Sequence, residues 1–195
     1  MRAGRGARCY PRDVEKVLVS ACLLGARVRY HGGDARSEHP VLRRWRDEGR
    51  IVAVCPERDG GLPTPRPPAE IVGGNGGRGV WTRIAVVRTR EGEDVTAAFV
   101  HGAEEALAAA RAHRIQLAVL KDGSPSCGTS FTYDGTFNGA RVAVPGVTAA
   151  LLEQHGIRVF GDTDIDAADA YLRRAPERDS MESNDSNRSN EPHFE

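Results

Sequence analysis

EKVLVSACLLG, residues 15–25, decides the fold. Val17, Leu18 and Val19 form a short apolar run that passes through Ser20 into small residues and Cys22, which reads as a buried strand entering a loop or a helix start. IVAVCPE (51–57) repeats the pattern, and Pro56 stops that strand so that the Cys55 thiol is presented at its carboxyl end. QLAVLKDGSPSCG (116–128) repeats it a third time, through Leu117, Val119 and Leu120, ahead of Cys127.

Helical patterns lie between these strands. SEHPVLRRWRDEG (37–49) has helical spacing through Val41, Leu42 and Trp45 and ends at Gly49. Phe99, Ala103, Leu107 and Ala110 share one face of a second helix, with Asp94 or Thr96 as its cap. A third runs from about Val147 to His155, stopped by Gly156, before a last strand from Ile157 to Phe160. Val80 to Arg88 reads as a further strand. Residues 59–79 hold prolines 63, 65, 67 and 68 and seven glycines, which makes regular structure unexpected there, so the segment reads as a linker or an ordered loop over a pocket. Alternating strands and helices give a single α/β domain, Rossmann-like, with a mostly parallel sheet and flanking helices. Ligand sites in such sheets lie beyond the carboxyl ends of the strands, which is where all three cysteines fall.

The chain has 195 residues, enough for one domain with a sizeable core. Lys+Arg and Asp+Glu both number 27, so no global basic charge draws it to nucleic acid, and stable nucleic-acid binding is not expected. The basic leader, residues 1–15, has no apolar core of a secretory signal, and the Val17–Ala26 run is far below membrane-spanning length. A cytoplasmic protein without a membrane partner is expected, and its cysteines point to metal binding or catalysis before disulfides. The domain is expected over residues 16–162, followed by a short helical extension within 163–195 and a disordered acidic Ser/Asn-rich tail. Oligomeric state is not legible.

Cys22, Cys55 and Cys127 are 33 and 72 residues apart and form no CxxC pair. This argues against a local zinc knuckle, a thioredoxin-type motif and the compact ligand run of bacterial ferredoxins. Spacing leaves open a shared metal or cluster site, unrelated buried cysteines, or a lone nucleophile. The hydroxyls of Ser124 and Ser126 beside Cys127 suit stabilisation of a thiolate or sulfide, whereas no histidine presents itself as the base for a cysteine nucleophile. His101, His113 and His155 read as surface or cap residues, and His31 as a possible pocket residue. Lys121 reads either as a strand-end residue facing the pocket or as plain solvent-facing charge. Glu57, two residues past Cys55, suits acid–base work beside a Lewis acid, or a structural salt bridge. Arg66 offers a fork of donors for an anionic or planar polar substrate, and Asp134 reads as a turn former.

VSACLLGARVRYHGG, VCPERDGGLPTPRPPAEIVGG, GEDVTAAFVHGAEEAL, LKDGSPSCG, YDGTFNG and GVTAALLEQHGIRVF together resemble the DUF523 family of small bacterial proteins, which includes the thiouracil desulfidases. The resemblance covers about residues 16–162. It implies an α/β protein holding a 4Fe-4S cluster by three cysteines with one iron open, the ligands being Cys22, Cys55 and Cys127. It further implies non-redox removal of sulfur from a small thiolated base such as 2-thiouracil, giving the oxo base and hydrogen sulfide, with catalytic roles for Glu57 and Ser124. Cys9 lies upstream of the matched region and is not a family ligand. Two rival readings keep the metal and give it different work. One is cluster-dependent sulfur transfer in nucleotide or RNA thiolation, and the other is a non-enzymatic metal-binding accessory module.

Overall fold

Val17–Ser20 (β1) is buried along its whole length, as a strand covered on both faces must be. It pairs in parallel with β2 (Ile51–Val54) on one side and β5 (Leu117–Leu120) on the other, and β8 (Arg158–Gly161) extends the sheet beyond β5. The order β2-β1-β5-β8 makes a four-stranded, all-parallel sheet. The computed structural model describes residues 14–174, so Cys9, most of the leader and the acidic tail lie outside the described residues.

Side chains alternate across the sheet with period two and feed two cores. Val17, Val19, Leu117 and Val119 pack with Leu42 and Trp45 of α1 (Pro40–Asp47) and with Ile165 and Ala168 of α6 (Ile165–Arg174). Leu18, Ala118 and Leu120 face the opposite way, onto Phe99 and Ala103 of α4 (Thr96–Ala112) and Leu152 of α5 (Val147–Gln154). Helices thus cover both faces. The helical extension past residue 162 contributes directly to the core, because α6 supplies Ile165 and Ala168, both nearly inaccessible. Buried Asp169 on α6 accepts a hydrogen bond from Trp45 Nε1 at 3.2 Å and ion pairs with Arg44 and Arg173. Burial pushes its carboxyl up, but the hydrogen bond and charge of Arg44 outweigh that and hold it below the ordinary carboxylate value.

Residues 59–79 correct the expectation of irregular structure. They contain β3 (Ala69–Gly73) and most of α3 (Gly76–Trp81), after a short α2 (Pro56–Asp59). The glycines serve close backbone approach: a methyl on Gly77 would stand 2.2 Å from Gly146 O, and one on Gly79 would stand 1.9 Å from Gly74 O. Tertiary contact, not local propensity, decides this segment. The strand expected from Val80 instead begins later, as β4 (Ala85–Thr89), because Val80 and Trp81 close α3 and Trp81 Nε1 donates to Val147 O at 2.9 Å. β4 stays out of the parallel sheet and pairs antiparallel with β3, and two short strands, β6 (Thr132–Tyr133) and β7 (Arg141–Val142), form a separate antiparallel pair. Neither cap candidate is the cap residue of α4, which is Val95: Asp94, one residue earlier, accepts from Thr96 N–H at 2.9 Å, while the Thr96 hydroxyl accepts from Val87 N–H at 2.8 Å and ties the helix to β4.

Two glycines set α2 against α4. A methyl on Gly102 would lie 1.8 Å from Pro56 O, and one on Gly60 would lie 2.0 Å from Ala98 O. Gly102→Ala is therefore expected to lower Tm by roughly 5 °C or more, overpacking outweighing the gain in helix propensity. Gly74→Ala, where a methyl meets nothing within 4 Å, should leave the calorimetric Tm unchanged.

Candidate functional site

A cavity of about 300 Å³ opens at the carboxyl ends of β1, β2 and β5, and Cys22, Cys55 and Cys127 all line it. This is the edge where α/β sheets place ligands. Each cysteine arrives by a different local device. Cys22 follows β1 in a 3-10 turn, Ala21–Leu24, that Gly25 closes in the left-handed region at φ 94°. Cys55 precedes α2, with Pro56 at the first helical position, and its N–H donates to Asp59 Oδ2 at 3.0 Å. Cys127 sits in a loop folded around Asp122, whose Oδ1 accepts from Thr129 N–H, the Thr129 hydroxyl and Ser130 N–H at 2.6, 2.9 and 2.9 Å.

Ser124 joins that loop to α2. Its hydroxyl donates to Glu57 Oε1 at 3.0 Å and accepts from the Ser126 and Cys127 N–H groups at 3.1 and 3.2 Å. Glu57 Oε2 is held by Arg66 Nε and Nη2 at 2.9 and 2.6 Å. Arg66 was a candidate for gripping substrate, but its remaining donors go to Pro63 O, Thr64 Oγ1 and Val28 O. All its N–H groups are engaged within the protein, so it positions Glu57 and has no fork left to offer.

Lys121 lines the cavity with its ammonium paired to Asp162 Oδ2 at 2.9 Å, while its N–H donates to Ser20 Oγ at 3.1 Å. Ser126 is fully buried and shares a 2.8 Å hydrogen bond with Thr148, behind the loop and not on the cavity wall. His31 also stays off the wall: it is exposed, accepts from Gly33 N–H at 3.2 Å, and stands edge-on to Tyr30, which does line the cavity. Asp134 forms the expected turn, accepting from Thr136 N–H at 3.0 Å. Glu70, Tyr133 and Phe137, which the sequence offers only as a spaced charge of the 59–79 segment and as the flanks of a turn, line the same cavity. A signal for Glu70 was available, since it is a lone charge among Ala69, Ile71 and Val72 in a short apolar strand.

Burial pushes all three thiols up, Cys22 to about 11. They also sense one another: Cys55 raises Cys22, and both raise Cys127, whereas Arg29 and Lys121 favour the Cys22 thiolate. Among the described residues no group of three or more His, Cys, Asp or Glu side chains could hold a single metal ion.

A family model described as 2-thiouracil desulfurase matches residues 17–164. The chain belongs to this family. The 2-thiouracil desulfurase family match spans the three strand–cysteine units and the cavity they build, in line with the resemblance carried by the motifs. The chain is 46% identical over 149 residues to the uncharacterized protein YbbK of Bacillus subtilis (strain 168), covering 76% of this chain and 97% of that one. It is also 46% identical to a solved structure, the 4Fe-4S-dependent thiouracil desulfidase TudS, with a TM-score of 0.75 over 82% of this chain and 99% of that one. Among the described residues no helix is long and apolar enough to cross a membrane.

Proposed function

We propose that this protein removes sulfur from a thiolated pyrimidine such as 2-thiouracil, using water and giving the oxo base and hydrogen sulfide. The observation that carries this reading is the meeting, at one cavity, of three cysteines from three strand ends with the Glu57–Ser124 pair. Support also comes from the family and from the likeness to TudS, 99% of whose chain is covered.

The donor set fits a 4Fe-4S cluster held by Cys22, Cys55 and Cys127. Thiolates that bind different irons need not converge on one point, which is consistent with a shared cavity and with the lack of a single-ion site. Such a cluster, when bound, would supply a Lewis-acidic iron with affinity for soft sulfur.

The chain's own residues do the rest. Glu57 accepts a proton from water at Oε1, the oxygen that Arg66 leaves uncovered, and water adds to the ring carbon bearing sulfur. The Ser124 hydroxyl, fixed by two backbone N–H groups, keeps that carboxylate oriented while Glu57 takes the proton and gives it up to the departing sulfide. One water enters, a C–O bond replaces the C–S bond, and both protons of water leave with sulfide as hydrogen sulfide. No net electrons move.

Anaerobically reconstituted protein incubated with 2-thiouracil is expected to release uracil and sulfide in equal amounts. A sulfur carrier for nucleotide or RNA thiolation would release neither, and that result would sink the proposal.

A further inference from the structure

Glu70 is a buried carboxylate that the chemistry above does not use. It lies in β3 and is only 8% exposed, yet it forms part of the cavity wall. Its Oε2 accepts two backbone hydrogen bonds, from Gly135 N–H and Phe137 N–H, both at 3.0 Å. Oε1 has no hydrogen-bond partner among the described residues, and no cation there lies within ion-pair distance of the carboxylate. Nor is Oε1 sealed off: the one buried side-chain oxygen enclosed without a partner among those residues is Thr132 Oγ1. The unused oxygen of Glu70 therefore keeps accessible surface, on a residue that lines the cavity.

A carboxylate taken this far out of water with half of its acceptor capacity unused is costly unless something completes it. The structure around it suits a flat heterocycle. The two hydrogen bonds to Oε2 hold residues 135 and 137 onto β3, and Gly135, at φ 87°, comes so close that a methyl there would stand 2.7 Å from Ile71 O. The same loop brings Tyr133 and Phe137 to the cavity wall. Glu70 thus fixes an aromatic-bearing loop with one oxygen and offers the other beside it.

We propose that Glu70 is a specificity-determining residue whose free oxygen accepts a hydrogen bond from a ring N–H of the bound pyrimidine, so that the site selects an unsubstituted ring nitrogen over an alkylated one. This rests on the reading that the cavity takes a thiolated pyrimidine. A carboxylate acceptor makes the contact charge-assisted and stronger than one between neutral groups. An alkyl group on that nitrogen removes the donor and leaves the buried oxygen unpaired, so discrimination should be sharp. Glu70 hydrogen-bonds neither a cysteine nor Glu57 among the described residues, so its contribution falls on ligand affinity and not on assembly of the metal centre.

Glu70→Gln is the informative variant. The Gln carbonyl can still accept from Gly135 and Phe137 N–H and keep the loop in place, while its NH2 turns a donor into the cavity where the acceptor was. Calorimetric binding of 2-thiouracil, uracil, 1-methyluracil and 3-methyluracil would be compared between reconstituted wild type and variant, with visible absorbance and Tm recorded for both. The expected result is a loss of at least about tenfold in uracil and 2-thiouracil affinity for the variant, with absorbance and Tm unchanged. One of the two methyluracils should bind wild type about as weakly as uracil binds the variant, and should lose nothing further in the variant. Equal uracil binding by both proteins, or equal binding of uracil and both methyluracils by wild type, overturns the role of Glu70 and leaves the pyrimidine reading standing. If wild type binds neither uracil nor 2-thiouracil, the pyrimidine reading falls and this inference with it.

Discussion

Cys22→Ala, Cys55→Ala and Cys127→Ala are each expected to abolish the iron–sulfur absorbance of anaerobically reconstituted protein and, with it, release of uracil and sulfide from 2-thiouracil. The three thiols line one cavity but come from the ends of three different strands, so no neighbouring residue stands ready to replace one that is lost. Residues that only support metal ligands typically cost 10–100-fold when changed, so loss of a ligand should exceed about 100-fold. Folding should survive: Cys22 and Cys127 are small groups at the margin of cores carried by Trp45, Phe99, Leu18 and Leu152. Far-UV circular dichroism of each apo variant would confirm that. Cys9→Ala, upstream of the family match, should retain both absorbance and turnover. Persistence of the absorbance in each of the three single variants would refute the assignment of the ligands.

Glu57→Gln should leave the absorbance in place and lower kcat by about 10²–10⁴, the usual contribution of a positioned general base. The substitution preserves shape and removes the capacity to take a proton. The single Gln oxygen can stay on the Arg66 fork, while its NH2 replaces the acceptor that the Ser124 hydroxyl now uses. KM for 2-thiouracil should change only a few-fold, because the lost interaction belongs to the transition state. Steady-state uracil formation measures both. A kcat within tenfold of wild type would show that another group activates water.

The parallel core was legible because its strands are apolar without interruption, Val17 to Val19 and Leu117 to Leu120, and because Pro56 marks where one of them must stop. The cysteines were legible for a related reason, since each follows a strand of that kind within a few residues. Residues 59–79 were not. Their glycines look like an irregular segment by composition, and only the facing backbone at Gly146 and Gly74 shows that they exist for close packing. Arg66 shows the same limit. Its fork of donors suggested a substrate, but Val28 O, Pro63 O, Thr64 Oγ1 and Glu57 lie close enough in space to take all of it.

What the sequence determined by itself was local: three apolar strands each followed by a cysteine, helices with a buried face, and hence a parallel sheet with its working edge at the strand ends. Periodicity and the conformational limits of Pro and Gly act over a few residues, and those are enough for that much. The tertiary structure alone decided that Ser124 meets Glu57 across 67 positions of chain and that Glu70 reaches Gly135 across 65, leaving its other oxygen without a partner among the described residues. Those pairings depend on how closely backbones approach, at Gly60 with Gly102 and at Gly135 with Ile71, and close approach is a property of the folded path that no local pattern encodes.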